Sequence, residues 1–485
     1  MKRFWIIPLF LGIFAYSFAQ GDYEAFRFSQ IDYMGTARYL GAGGTFGTVG
    51  GDFSALSTNP AAIGLYKRHE VSFTPTVVSF FKNNTLYHDN NSYTQNAKYT
   101  VPECGLVITS PITRDSEWKY WQFGFGYNRI MDYNNTFRAV GPAYSSFADP
   151  IVAQANGTHY NSLAGDALIA WNTWLIDTIP GFDNRYDSPF SGSNLDQSVL
   201  VKQSGAIDEM SFTFGGNYND KLYIGGSIGI PFLDYMERTS LTETPTDVED
   251  LQGITSYDVY TTQRDRGAGV NAKIGIIYQP ANFVRLSASI QSPTYFWKIK
   301  DTYRREMRTH WNSLSPNAQE PDYQYSNDYK FSLTTPFRFN VGAAFLINKR
   351  GFISAEYEFN DHSMSTLYAD DYDFTNENEA VKQKYGIRHS IRLGGEVNLG
   401  EKFALRAGYN FKSTPYRDSK DWTEGYNGSA HYGSLGFGFH NKFLFVDFAY
   451  VLRFYKDSYN LYAPNATAQI KNTTHRIVGT IGCKF

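Results

Sequence analysis

The chain has 485 residues, 42 of them Gly and 17% aromatic, with only 2 Cys and a mean hydropathy of -0.40. A formal net charge of -3 leaves no basic footprint for nucleic acid, and the aromatic residues are spread along the chain rather than gathered into stacking platforms. Abundant Gly, Tyr and Phe in a chain that is not apolar overall suit a transmembrane barrel, apolar outside and polar inside; a large soluble β protein is the other class.

Residues 1–19 open with Lys2 and Arg3, run through the apolar Phe4 to Phe18 and end Ser17-Phe18-Ala19, the pattern of a secretory signal peptide cleaved after Ala19. No Cys follows that site, which argues against a lipid anchor. The mature chain holds no apolar run of eighteen residues, so no transmembrane helix is expected. From Gly35 to Tyr66 the chain is rich in Gly and small residues, including Gly43 and Gly44, and reads as a compact plug within residues 20–70. Gly41, Gly43 and Gly47 imitate a dinucleotide-binding loop, but no strand precedes them and Asp52 comes too early to be the acidic partner. The plug closes with Asn59-Pro60-Ala61-Ala62 and Gly64-Leu65-Tyr66. A leader, a small-residue stretch, an Asn-Pro-Ala turn and then a first strand, in that order, resemble the N-terminal hatch of the FadL/TodX family of outer-membrane hydrophobic-compound transporters.

From Val71 onward the sequence alternates with a two-residue period, clearest over Lys119 to Met131. There Trp121, Phe123, Phe125 and Tyr127 share one face, and Gln122, Gly124, Gly126 and Asn128 the other. Fourteen such segments predict an all-β fold over residues 71–485: a 14-stranded antiparallel transmembrane β-barrel with an N-terminal plug, or hatch. Connections after even strands are tight, as at Asn219-Asp220-Lys221 and Leu399-Gly400-Glu401-Lys402. Those after odd strands are long, including Asp132 to Ile207, Tyr235 to Gln263 and Lys298 to Tyr329. Bacterial outer-membrane barrels have this parity, with both termini periplasmic. Trp118, Tyr120, Tyr223, Phe283, Phe403 and Phe443 flank the turns as an expected interfacial girdle. Cys104 and Cys483 fall on strands separated by another and are expected to be free thiols.

No enzymatic signature, cofactor motif or metal-ligand spacing stands out, and no enzyme, cofactor or metal is expected. On the tenth and eleventh strands Ile391, Leu393, Leu405 and Tyr409 should face lipid, turning Arg388, Arg392, Glu396 and Arg406 inward. The arginines Arg388, Arg392 and Arg406 either pair with carboxylates of the wall or hold the carboxylate of an amphiphile. In the connection after the third strand, Leu163, Leu168, Trp171, Trp174 and Leu175 recur at roughly helical steps. Their stripe either packs on the barrel mouth or forms an exposed groove for hydrophobic molecules. The resemblance implies a helical outer-loop groove, an interior pocket and a sideways exit where the third strand bends, with Gly124 and Gly126 as its candidate positions, although both glycines could equally make room for the plug. It thus implies passive uptake of a hydrophobic small molecule, such as a long-chain fatty acid, through a barrel in contact with outer-membrane lipid. The alternative is a structural or accessory subunit of an outer-membrane secretion or assembly complex, permanently plugged and bound to protein partners.

Overall fold

The computed structural model describes residues 21–32, 34–113, 115–143, 145–248, 250–312, 322–348, 350–418, 425–462 and 466–485. The expected signal peptide and Gln20 lie outside the described residues. Fourteen antiparallel strands follow one another around a barrel. They are β1 (Glu70–Tyr87), β2 (Asn90–Thr100 and Glu103–Pro111), β3 (Trp118–Asp132 and Asn135–Ala143), β4 (Leu195–Tyr218), β5 (Leu222–Pro245), β6 (Ile254–Ala281) and β7 (Val284–Gln291 and Tyr295–Trp311). The second half is β8 (Asp322–Thr334 and Arg338–Leu346), β9 (Gly351–Asp361, prolonged by Thr366–Tyr368), β10 (Ile387–Leu399), β11 (Phe403–Lys412), β12 (Ala430–His440), β13 (Leu444–Asn460) and β14 (Thr467–Lys484). β14 closes on β1, with Glu70 opposite Lys484 and Leu86 opposite Gln469.

Two-residue alternation decides the two faces. Trp121 looks out while Gln122 and Asn128 are buried; Ile391, Leu393, Leu405 and Tyr409 look out while Arg388, Arg392, Glu396 and Arg406 are buried. The outward apolar residues continue round the wall, from Ile224, Ile228 and Phe232 on β5 to Ile477 and Ile481 on β14. So large an exposed apolar belt belongs in lipid, where every backbone group must find a partner within the wall. Cys104 and Cys483 are free and exposed, on the two strands flanking β1.

The strands differ from the sequence expectation in length. β4, β5 and β6 have 24, 24 and 28 residues, where about 10 cross a membrane. Much of the three long connections is therefore wall rising beyond the lipid. There neither face meets hydrocarbon, so the apolar-polar alternation that reveals a strand fades. The first hairpin is also longer than expected: β1 and β2 meet at a tight turn through His88 and Asp89, both at positive φ (43° and 66°). Of the expected girdle, Tyr223 instead points inward and is buried, its hydroxyl donating to the Asp220 carbonyl.

Residues 21–66 form short helices: α1 (Asp22–Ser29), α2 (Ala37–Gly41), α3 (Phe46–Val49) and the 3-10 turns Phe53–Ser57 and Pro60–Leu65. The last turn touches β3 to β6, α3 touches β7 to β9, and α2 touches β11 to β14. A segment that meets the wall on all these sides lies inside the barrel. Beyond the rim, α4 (Ala148–Ala155) and α5 (Gly165–Asn172) sit between β3 and β4, and α6 (Thr375–Lys384) between β9 and β10.

Candidate functional site

The luminal segment is held in short turns by its own side chains. Thr36 accepts the Tyr39 amide at 3.0 Å and donates to Asp52 at 2.7 Å. Asp52 accepts the Ser54 amide at 3.0 Å, and Asn59 accepts the Ala61 amide at 3.0 Å while donating to the Gly47 carbonyl at 2.9 Å. Asn59, Pro60 and Ala61 are thus a capped helix start with Pro at its first position. Gly43 (φ 66°) lies so close to the wall that a Cβ there would sit 2.7 Å from the Leu393 carbonyl oxygen, and Gly44 follows at φ 78°. Burial raises the Asp52 carboxyl to about 6, against the opposing pull of Arg38 and the Thr36 hydroxyl.

Ion pairs tie this segment to the wall. Asp32 receives Arg476 at 3.0 Å, Lys412 at 3.3 Å and the Tyr432 hydroxyl at 2.8 Å, with Arg453 at 3.9 Å. Burial alone would push the Asp32 carboxyl up, but Lys412, Arg476 and Arg453 outweigh it and hold the group well below the usual carboxylate range. Arg38 meets Glu396 at 3.2 Å, and the Thr48 amide donates to Glu356 at 2.8 Å. The expected luminal arginines divide accordingly. Arg392 lies between Glu358 and Glu356 at 3.3 and 3.6 Å, and Arg406 lies 2.6 Å from both Glu396 and Asp447. Arg388 is held instead by the Ser413 and Gly428 carbonyls and the Gln30 side-chain oxygen, at 3.1, 2.9 and 3.2 Å. Among these groups the cavity bordered by Asp32, Tyr39, Arg392, Tyr432 and Arg476 measures about 30 Å³, room for one or two water molecules.

The wall is interrupted beside β3. Its lower half pairs with β2 from Glu103 opposite Asn128 to Pro111 opposite Tyr120, and the ladder ends with the Arg129 amide on the Pro102 carbonyl at 2.7 Å. Above that point Asn90–Thr100 pairs with β1 and Asn135–Ala143 pairs with β4, and among the described residues no ladder joins the two. Asn83, on the luminal face of β1, reaches the Thr136 carbonyl at 2.6 Å, so the upper half of β3 has moved to the luminal side of β2. Thr94 and Asn96 bridge the seam to Thr136 at 2.8 and 3.3 Å. At its lower end the luminal segment takes over, the Asp32 amide donating to the Ile130 carbonyl at 2.8 Å and the Met34 amide to that of Arg129 at 3.2 Å.

Gly124 and Gly126 are not at this break. They lie below it in an unbroken ladder, where a Cβ on Gly124 would sit 2.9 Å from Ile63 and one on Gly126 would run into the Phe53 ring. Their missing side chains make room for the luminal segment. The bend is at Tyr133 and Asn134, where Met131-Asp132-Tyr133-Asn134-Asn135 reads in sequence as the end of a strand. The sequence alternation also turns Lys412 inward, but its partner Asp32, with Arg453 and Arg476, escaped the sequence reading, because the four come from β11, β13, β14 and a stretch some 380 to 440 positions away.

Over the rim, the stripe from Leu163 to Leu175 is divided. Leu163 and Leu175 are buried in an apolar cluster that continues into the barrel through Phe190, Tyr87, Phe137 and Met307. Leu168 and Trp174 are exposed, as are Ile179 and Phe182, and Trp171 stacks on Tyr160 with ring centres 5.8 Å apart. The helix is shorter than the stripe: α5 stops at Asn172, and Trp174 takes a positive φ of 62°. Among the described residues no group of three His, Cys, Asp or Glu is placed to hold a metal ion.

No protein-family model matches the chain, and no curated relative does. Solved structures do resemble it. The toluene transporter TodX of Pseudomonas putida superposes with a TM-score of 0.53 at 11% identity, over 94% of this chain and 99% of TodX. A FadL homologue of Pseudomonas aeruginosa gives a TM-score of 0.52 at 13% identity, over 94% and 99%. The chain therefore has the fold of the FadL/TodX-type barrels.

Proposed function

We propose that this chain is an outer-membrane channel of a Gram-negative bacterium for passive uptake of hydrophobic or amphipathic small molecules, such as long-chain fatty acids. The observation that carries the reading is the seam between β2 and β3, whose lower end borders an apolar cluster in the lumen. Ile130 and Tyr133 are buried there, with the Phe28 and Tyr235 rings 6.2 and 5.1 Å from that of Tyr133. A break in a membrane wall leaves backbone groups without ladder partners, a cost that favours a use for the opening. In this reading the exposed Leu168 and Trp174 capture the molecule, and the apolar cluster under the rim passes it inward. Of the three candidate arginines, Arg388, held by neutral oxygens where Arg392 and Arg406 are held by acids, is the one best able to meet a carboxylate. The seam then offers a way out into the membrane. Residues 20–70 act as a hatch that must shift, since a 30 Å³ cavity admits no such molecule. Both termini face the periplasm.

The same small cavity and its surrounding ion pairs favour a second reading, a permanently closed structural barrel that serves protein partners through its loops. Locking the seam separates the two. In a Cys104→Ala, Cys483→Ala background, Asn96→Cys and Thr136→Cys joined by a short methanethiosulfonate cross-linker should abolish uptake of radiolabelled oleate into cells, and thiol reduction should restore it. Uptake indifferent to the cross-link would remove the lateral route. No uptake by the parent protein under any condition would favour the closed barrel.

A further inference from the structure

Five adjacent strands rise beyond the lipid-facing belt, and their register places the outward side chains in rows. The highest apolar row joins Phe232, Ala268 and Trp297 on β5, β6 and β7. The row above it reads Asp234, Arg266, Lys300, Lys330 from β5 to β8. The next holds Arg264 and Asp328 with neutral neighbours, and the third reads Lys202, Arg238, Thr262, Arg304, Ser326 from β4 to β8. Seven Lys or Arg thus stand against two Asp on a chain whose net charge is -3. Strand and residue spacings make the patch about 20 Å wide and 14 Å high. Farther from the membrane the sign reverses: Glu306, Asp258 and Asp196 outnumber Arg308 on the same face.

Asp234 is shared by Arg264 at 2.9 Å and Arg266 at 3.4 Å, and Asp328 takes Lys300 at 2.8 Å. The side chains of Arg266 and Arg304, the latter 3.9 Å from Glu306, nevertheless remain more than half exposed. This concentration of positive charge lies in the three rows directly above the highest apolar row, where the headgroup zone meets a wall that spans a membrane. Outward at the top of the belt on the far side stand Tyr–His pairs, Tyr409 with His431 at 2.8 Å and Tyr450 with His475 at 2.7 Å, with the smaller group Lys82, Lys456 and Lys471 above the second pair.

We infer that the outer face of β4 to β8 is a binding surface for the phosphate groups of phosphorylated glycolipid headgroups in the surrounding outer leaflet. Arginine binds phosphate through paired hydrogen bonds, and two phosphates on one headgroup fit a patch of this width. The full-length protein in detergent, titrated with fluorescent bis-phosphorylated lipid A in mixed micelles, tests the assignment. The triple variant Arg264→Gln, Arg266→Gln, Arg304→Gln should bind about 100-fold more weakly at low salt, each charge near a membrane surface giving roughly a factor of five. Asp234→Asn should bind more tightly, and Lys456→Gln with Lys471→Gln, on β13 and β14, should bind as the parent does. Binding should weaken with added salt and on removal of the lipid phosphates, while millimolar inorganic phosphate should compete poorly. Equal affinity for phosphorylated and dephosphorylated lipid A would overturn the inference, as would an unchanged triple variant. Full competition by inorganic phosphate would replace a lipid surface with a simple anion site. Failure of the triple variant to fold would leave the Asp234→Asn gain as the deciding measurement.

Discussion

Asp32 joins two features that otherwise look separate, the ion pairs that tie the luminal segment to the wall and the lower end of the seam. Its backbone amide is bonded to β3 beside the break, and its carboxylate is the acid shared by Lys412, Arg453 and Arg476. Asp32→Asn keeps the shape and can keep the Tyr432 contact but removes the charge, leaving these cations without it in a buried site. Breaking a buried pair by removing one partner costs about 3–5 kcal/mol, so the closed arrangement of residues 30–44 should weaken by at least about 100-fold. Hydrogen exchange followed by mass spectrometry on the protein in detergent should show faster exchange confined to that stretch, while the strand ladders stay protected. Planar bilayers should show new current steps. Acid should reproduce the effect in the parent. The Asp32 carboxyl is depressed, so its contribution is present above the unfolded value near 4 and is lost as pH falls through the folded one. Unchanged exchange over residues 30–44, together with an unchanged acid limb, would refute the view that this cluster holds the segment.

Asp52 should behave in the opposite sense. Its carboxyl is raised to about 6, so its stabilising effect is full below about 4 and is lost as pH rises through 6; Asp52→Asn should flatten the pH dependence of thermal unfolding across that window. Trp174→Ala should lower uptake with little change in stability, whereas Leu175→Ala, in the buried cluster, should cost about 2–5 kcal/mol in denaturant titrations; similar stability losses for both would deny Trp174 an exposed role. Gly408→Val should displace the luminal segment, because a Cβ there collides with the Gly43 backbone. Proteolysis of residues 35–50 in the folded barrel reads that displacement, and unchanged resistance would contradict it.

Where the chain crosses lipid, its sequence alone determined the answer. One face of each strand must be apolar and the other must not, so the alternation of Trp121 to Asn128, or of Ile391 to Arg406, carries strand, face and number together. The same logic placed the arginines inside. It could not choose their partners, because Arg392 and Arg406 are satisfied by acids on strands one or two places away and register is a property of the closed sheet. Above the membrane, water on the outside removes the apolar demand, and the extended walls of β4 to β8 became legible only from their pairing. The break at Tyr133 was hidden for a related reason: a polar run such as Asp132-Tyr133-Asn134 marks the end of a strand in sequence, whether the chain leaves the wall or bends behind it. The glycines of β3 signalled close approach, but only the tertiary structure showed that the luminal segment, and not an opening, lies against them. Contacts such as Asp32 with Arg476 join the two ends of the chain, and barrel closure is what brings those ends together.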